Sequence, residues 1–192
     1  MSAHIPVQEG LVGITSLLEY RLDTGRPIRE LTQTLLRGAS TLTEGERELI
    51  ATVVSHRNSC QFCTKAHTAA ATLLLGGPGT VAAVKHDLEG APVRAKMKTL
   101  LRIAAKVQQN GRTVTNEDVA AARAEGATDL EIHDTVLIAA LFSLYNRYVD
   151  GLAAFTPADP SYYHTLAARI VHRGYLRPEG GFPAPATSPP GS

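Results

Sequence analysis

The two cysteines of this chain, Cys60 and Cys63, are separated by only two residues. Two cysteines placed at random in a chain of this length would lie three positions apart about one time in a hundred, so the spacing is informative. His67 follows Cys63 by four residues, and Glu48 precedes Cys60 by twelve. Dithiol–disulfide chemistry needs a thiolate that attacks, a second thiol that resolves the product, and groups that move protons. These four residues therefore predict a redox site.

A helical arrangement would bring the two thiols within bonding reach. If Cys60 opens a helix, its Cα lies about 5 Å from that of Cys63, inside the roughly 4.4–6.8 Å that a disulfide tolerates. His67 then lies one turn further along the same face, beside Cys63. The helix N-terminus favours Cys60 as the more acidic thiol, whereas the adjacent imidazole favours Cys63. The residues alone leave both assignments open.

Three other interpretations compete with a reactive dithiol. The cysteines could be small core residues, although their pairing beside a histidine argues against it. They could bind zinc together with His67 and Glu48, but the usual fourth cysteine or histidine ligand is missing. A thioredoxin-like dithiol needs a βαβ context, and no segment of the sequence alternates like a strand.

The elements around the site have helical periodicity almost throughout. Apolar residues recur every three or four positions, and the pairs Thr43 with Glu46 and Thr128 with Glu131 form capping-box patterns. The predicted helices cover residues 7–20, 27–38, 43–57, 60–75, 80–88, 92–107, 115–126, 129–155 and 161–173. Glu48 would reach the cysteines if helices 43–57 and 60–75 pack antiparallel as a helix-turn-helix. The sequence thus predicts one all-α domain over residues 1–177, followed by a Pro/Gly-rich tail, 178–192, that is disordered or an extended arm.

Composition excludes several classes of function. The formal net charge is +1 and tryptophan is absent, so the sequence offers neither a basic stripe nor stacking platforms for nucleic acid. No apolar run approaches the roughly 18 residues that span a bilayer, and the N-terminus lacks the pattern of a signal peptide. Two cysteines in that setting are typical of reactive thiols in a reducing compartment. We therefore expect a cytoplasmic protein.

The spacing of Glu48, Cys60-x-x-Cys63 and His67 resembles the signature of the AhpD-like alkylhydroperoxidases, in the carboxymuconolactone decarboxylase superfamily. The looser similarity covers roughly residues 10–156. Further matches resemble the peroxidase-related branch of that family: Leu42-Thr43-x-x-Glu46-Arg47 before Glu48, Val54-Ser55-x-x-Asn58, and Asn146-Arg147.

The resemblance implies an all-helical fold that assembles as a homotrimer or hexamer and reduces a small hydroperoxide without a metal or organic cofactor. In this chain, Cys63 would be the peroxidatic nucleophile and Cys60 the proton donor and resolving thiol. Glu48 and His67 would form a proton relay, and an external dithiol or thiol protein would regenerate the pair. Well-studied relatives often carry histidine where this chain has Phe62, which removes one proton-transfer group. The decarboxylase branch typically lacks the dithiol, so lactone chemistry is not expected.

Three further residues are candidates for a supporting role around the site. His56 and Asn58 lie near the break between the third and fourth helices. Arg147 could neutralise Glu48 or hold a substrate anion, although a structural or interface ion pair explains it equally well. Helix 129–155 is apolar on two faces, which predicts a central position or a subunit interface. A non-catalytic redox sensor or structural helical oligomer is therefore the alternative to an enzyme.

Overall fold

The computed structural model describes residues 3–182. Within them the chain forms nine α-helices and one short 3-10 helix, Gly111–Thr113, and no strand. The α-helices are α1 Gly13–Tyr20, α2 Leu22–Arg37, α3 Glu44–Arg57, α4 Gln61–Leu74, α5 Pro78–His86, α6 Ala95–Asn110, α7 Asn116–Ala124, α8 Asp129–Gly151 and α9 Pro160–Arg173. The predicted all-α class is confirmed. None of these helices is long and apolar enough to cross a membrane.

The main differences from the predicted bounds lie in the first two helices and at the end of α8. Helix α1 begins at Gly13 rather than at residue 7, and α8 ends at Gly151 rather than at 155. Helix α2 begins at Leu22, so Pro27 lies inside the helix instead of opening it. The corner between α1 and α2 is tight, and it depends on the absence of a side chain at Gly25. A Cβ there would lie only 2.0 Å from the carbonyl oxygen of Leu18.

Capping boxes fix the starts of the helices that carry the core. Thr43 accepts from the backbone of Glu46, whose carboxylate accepts in return from the Thr43 backbone. Thr128 and Glu131 repeat the arrangement at α8. Both capping boxes are therefore confirmed. Each one satisfies two backbone N–H groups that the first helical turn leaves unpaired.

Helix α3 is the centre of the molecule. Its residues 45–55 are all buried, and it packs against α4, α6 and α8. Only residues 58–60 connect α3 to α4, so the two packed helices run antiparallel, as the helix-turn-helix prediction requires. Helix α4 also packs against α9, which places the cysteine motif between the central helix and the last one.

The chain after α9 turns back across the site. Gly174 ends the helix with φ +70°, and Tyr175 and Arg177 then form polar contacts with helices α3 and α1. Phe182 lies against the guanidinium groups of Arg29 and Arg169, so the first residues of the predicted tail pack on the domain. Residues 183–192, the rest of that tail, lie outside the described residues.

Candidate active site

The connection between α3 and α4 sets the position of the cysteines. Ser59 adopts φ +58°, a left-handed conformation that non-glycine residues seldom take. The turn is closed by the Ser59 amide donating to the His56 carbonyl at 2.9 Å and the Cys60 amide donating to the Ser55 carbonyl at 3.1 Å. Cys60 becomes the N-cap of α4, and Cys63 lies in its first turn. This is the helical arrangement from which the sequence predicted a dithiol.

The two thiols are free, buried and unequal in their surroundings. Cys60 is fully buried and Cys63 is 2% exposed, but of the two only Cys63 lines the cavity described below. The neighbouring Cys60 thiol, and then burial, hold the pKa of the Cys63 thiol well above its usual range. A hydrogen bond between Cys63 and Asn146 acts in the opposite direction. The resting dithiol is therefore protonated at Cys63, with Cys60 behind it.

Glu48 lies at the centre of a buried polar network. His67 Nδ1 is 2.7 Å from Glu48 Oε2, while Arg37 Nη2 and Tyr175 Oη donate to Oε1 at 2.6 and 2.5 Å. Burial alone would raise the pKa of the Glu48 carboxyl, but His67, Arg37 and Tyr175 outweigh it and leave the pKa below its usual range. Glu48 is therefore an ionised carboxylate, so Nδ1 of His67 carries the proton that it donates. The other ring nitrogen of a neutral His67 is then a proton acceptor.

Aromatic contacts hold the His67 ring in one orientation. The ring meets Phe142 edge-on, with centroids 4.5 Å apart, and lies nearly parallel to Tyr175 at 6.3 Å. The guanidinium group of Arg37 lies over the Tyr175 ring, with its carbon 5.0 Å from the ring centre. Because Glu48 fixes one ring nitrogen and the aromatic rings fix the plane, His67 is positioned before any ligand arrives.

A chain of amides supports the thiol from the side of α8. Asn58 donates to the Asn146 side chain at 2.8 Å, and Asn146 donates to Ser55 Oγ at 3.1 Å. Gln108 in turn donates to Asn58 at 2.7 Å. Asn58, predicted as a supporting residue, thus contacts the site through Asn146, whose side chain lowers the pKa of Cys63.

Two of the predicted supporting residues do not join the site. Arg147 is exposed and donates to the backbone carbonyl of Ser143 in its own helix at 3.0 Å, so it does not neutralise Glu48. His56 is exposed at the end of α3, where burial, Lys85 and Arg57 lower its pKa. Each side chain points away from the buried network because of its register on its helix, which the motif spacing could not reveal.

The cation and the phenol that do contact Glu48 were missed by sequence reasoning. Arg37 is the last residue of α2, and Tyr175 follows the glycine that ends α9. Tyr175 lies 127 positions from Glu48, and neither residue belongs to a motif. The packing of α2 and of the chain after α9 onto α3 brings them together, and no local signal in the sequence could have identified them.

Phe62, which stands where relatives often have histidine, is part of the core. It is 2% exposed and packs on Tyr162 and Tyr163, with ring centroids 6.4 and 6.0 Å away. A Cβ at Gly13 would lie 2.2 Å from this ring. The start of α1 can therefore approach Phe62 this closely only because residue 13 is glycine. Phe62 therefore ties α4 to α1 and α9 by apolar contact and supplies no proton-transfer group.

The site borders a partly open cavity of about 50 Å³ that is lined mainly by apolar groups. That volume accommodates a few water-sized groups. Its lining residues are Ile14, Thr15, Leu18, Arg29, Phe62, Cys63, Ala66, His67, Phe142, Tyr145, Leu166, Arg169, Ile170 and Tyr175. Cys63 and His67 therefore line the same partly open space.

The zinc interpretation finds no support in this geometry. Within residues 3–182 no group of three or more histidine, cysteine, aspartate or glutamate side chains could hold a metal ion. The carboxylate that zinc would need, Glu48, already accepts from His67, Arg37 and Tyr175. The arrangement suits proton transfer beside a thiol rather than metal coordination.

Known proteins match one segment of this chain and its overall fold. Residues 23–74, which include Glu48, both cysteines and His67, match the carboxymuconolactone decarboxylase family. A solved structure from Silicibacter sp. TM1040, described as an uncharacterized peroxidase-related protein, is 28% identical with a TM-score of 0.72, covering 79% of this chain and 78% of that one. No curated protein sequence matches the chain.

A second solved structure supports the fold. It comes from Ralstonia eutropha JMP134 and is described as an alkylhydroperoxidase AhpD core, an uncharacterized peroxidase-related protein. The two chains are 23% identical with a TM-score of 0.77, and the match covers 87% of this chain and 97% of that one. The chain is therefore similar to the carboxymuconolactone decarboxylase family over residues 23–74, and its helical fold is that of the two solved peroxidase-related structures.

Proposed function

We propose that this protein is a thiol-dependent peroxidase that reduces small hydroperoxides through a Cys60–Cys63 dithiol/disulfide cycle. The observation that carries the proposal is that Cys63 and His67 line one cavity while His67 is bonded to the buried, ionised Glu48. Cys60 lies directly behind Cys63, where it can resolve an oxidised sulfur. No metal or organic cofactor takes part in the proposed reaction.

In the first half of the cycle, His67 accepts the thiol proton of Cys63. The resulting thiolate attacks the terminal oxygen of the hydroperoxide, the O–O bond breaks, and Cys63 becomes a sulfenic acid. The alkoxide that leaves takes the thiol proton of Cys60 and departs as the alcohol. Glu48 stabilises the imidazolium that His67 has become, through the bond to Nδ1.

In the second half, the Cys60 thiolate attacks the sulfur of the Cys63 sulfenic acid. The S–O bond breaks, and the hydroxide takes the proton held by His67 and leaves as water. One hydroperoxide has then been reduced to an alcohol and water, and the two thiols have been oxidised to a disulfide. An external dithiol or thiol protein reduces the disulfide by thiol–disulfide exchange.

Thiol titration during peroxide addition tests the cycle. One equivalent of tert-butyl hydroperoxide is expected to remove both thiols of the reduced protein together, and excess dithiothreitol is expected to sustain many turnovers. The alternative, a redox sensor, would also lose both thiols but would consume only one equivalent of peroxide. Loss of a single thiol, or none, would contradict the dithiol mechanism.

We also propose that the protein is a homotrimer or hexamer. Leu130 and Leu144, on α8, are 61% and 45% exposed, and a separation of 14 residues places them near the same face of the helix. A second copy would bury this apolar face, and closed symmetric assemblies are the common result. Light scattering is expected to give at least three times the chain mass of 20.5 kDa. A monomer at micromolar concentration would contradict the assembly.

A further inference from the structure

Two arginine side chains line part of the active-site cavity. Arg29 and Arg169 both line the cavity, and Arg177 lies beside them. Glu19 accepts from Arg29 Nη2 at 3.3 Å and from Arg177 Nε at 2.9 Å, while Glu30 and Glu179 line the neighbouring surface cavity with Arg29 and Arg177. Arg29 and Arg177 thus share one buried carboxylate, and Arg169 forms no ion pair with it.

Arg29 is buried and incompletely bonded. It is 5% exposed, and its Nε has no hydrogen-bond partner among the described residues. Burial lowers the pKa of Arg29; Glu19 opposes this effect, and Arg169 and Arg177 add to it. A buried guanidinium that lacks a partner for one N–H and lies near two other cations is costly unless an anion completes its surroundings.

Arg169 has no carboxylate partner in the part of the chain that the structure describes, whereas Arg29 and Arg177 are both paired with Glu19. Its pKa is also lowered, first by burial. The ring of Phe182 lies 5.0 Å from the guanidinium carbon of Arg29 and 5.4 Å from that of Arg169. This contact covers the faces of the two groups, while Nε of Arg29 lacks a partner and the guanidinium of Arg169 lacks a carboxylate within residues 3–182.

We propose that Arg29 and Arg169 bind a carboxylate inside the cavity, so that the preferred substrate is a small hydroperoxide that carries a carboxylate group. Guanidinium edges match the two oxygens of a carboxylate, and the same cavity wall holds Cys63. A ligand anchored by its carboxylate would present its peroxide group to the thiol. The choice of a peroxide rests on the proposed function, whereas the carboxylate site does not.

Binding of an unreactive pair of ligands tests the site without any peroxidase activity. The pair is 2-hydroxy-2-methylpropanoate and tert-butanol, which differ by a carboxylate in place of a methyl group. Calorimetry with the full-length reduced protein is expected to show binding of the acid at least 10-fold tighter than that of the alcohol, because charge-assisted hydrogen bonds are the stronger kind. Arg169→Gln is expected to remove most of this preference.

Arg173→Gln is the matched control, because Arg173 is an exposed arginine on the same helix and does not line the cavity. It is expected to retain the preference for the acid. If Arg169→Gln and Arg173→Gln lose the preference for the acid equally, the effect is one of overall charge, and the proposed carboxylate site is refuted. A change of oligomeric state in Arg169→Gln alone would assign this arginine to a subunit contact and would also overturn it.

Steady-state kinetics then test the substrate class. The ratio of kcat/KM for 2-hydroperoxy-2-methylpropanoate to that for tert-butyl hydroperoxide is expected to exceed 10 and to fall about 10-fold or more in Arg169→Gln. Equal kcat/KM values for the two peroxides would reject the carboxylate preference. If the protein binds the hydroxy acid but consumes neither peroxide, the carboxylate site stands and the proposed peroxidase function fails.

Discussion

Cys63→Ser is expected to abolish peroxide consumption, because the proposed sulfenic acid forms on that sulfur. Cys63 is the thiol that lines the cavity, whereas Cys60 is fully buried behind it. A serine hydroxyl at position 63 fits the same space but is not a nucleophile toward peroxide at neutral pH. The measurement is peroxide consumption with excess dithiothreitol, compared with the wild-type rate.

Cys60→Ser supplies the matched comparison, because it changes one sulfur by the same substitution three residues away. This variant is expected to react once with peroxide, without turnover, and to stop at a Cys63 sulfenic acid that dimedone traps. Mass spectrometry locates the adduct. Retained activity in Cys63→Ser, with a dimedone adduct on Cys60, would reverse the two assignments.

The surroundings of Cys63 also predict the pH dependence of the wild-type reaction. Cys60 and burial raise the pKa of the Cys63 thiol well above its usual range, so the thiolate fraction is small at neutral pH and grows as pH rises. The value of kcat/KM for peroxide is therefore expected to increase into the alkaline range, beyond the pKa of about 8.5 of an ordinary thiol. A plateau that begins below pH 8 would contradict this expectation.

Glu48→Gln is expected to lower the peroxidase rate by about 10²-fold or more, because glutamine cannot stabilise the imidazolium of His67. His67→Gln is expected to have an effect of similar size. Glu48 is also fully buried and bonded to Arg37 and Tyr175. Removing one partner of a buried ion pair costs about 3–5 kcal/mol in unfolding free energy, so the variant is expected to melt earlier as well. The rate must therefore be measured per folded protein.

Glu131→Gln controls for the loss of stability. Glu131 is a second buried carboxylate, 1% exposed, and it is bonded to Lys96 and Thr41 rather than to the residues around the cysteines. This variant is expected to melt earlier yet keep its rate per folded protein. If Glu48→Gln also keeps that rate, Glu48 is only a structural ion-pair residue, and the relay is refuted.

The sequence by itself determined the fold class and the chemical core of the site. Helical periodicity and capping boxes are local, and the structure confirms the boxes at Thr43 and Thr128. The Cys-x-x-Cys motif is also local, because a three-residue separation in a helix sets the distance between the two positions. The pairing of Glu48 with His67 followed from one further step, the antiparallel packing of two consecutive helices that a short turn joins.

Only the tertiary structure decided which groups complete the site. Arg37 and Tyr175 contact Glu48 from helix α2 and from the chain after α9, and Arg29 reaches the cavity although it belongs to no motif. Arg147, which the motif had suggested, points outward instead. The physical reason is that a buried charge takes whichever partners the packing of distant segments brings near. Such packing depends on the surfaces of all the helices together, and no local pattern in the chain encodes it.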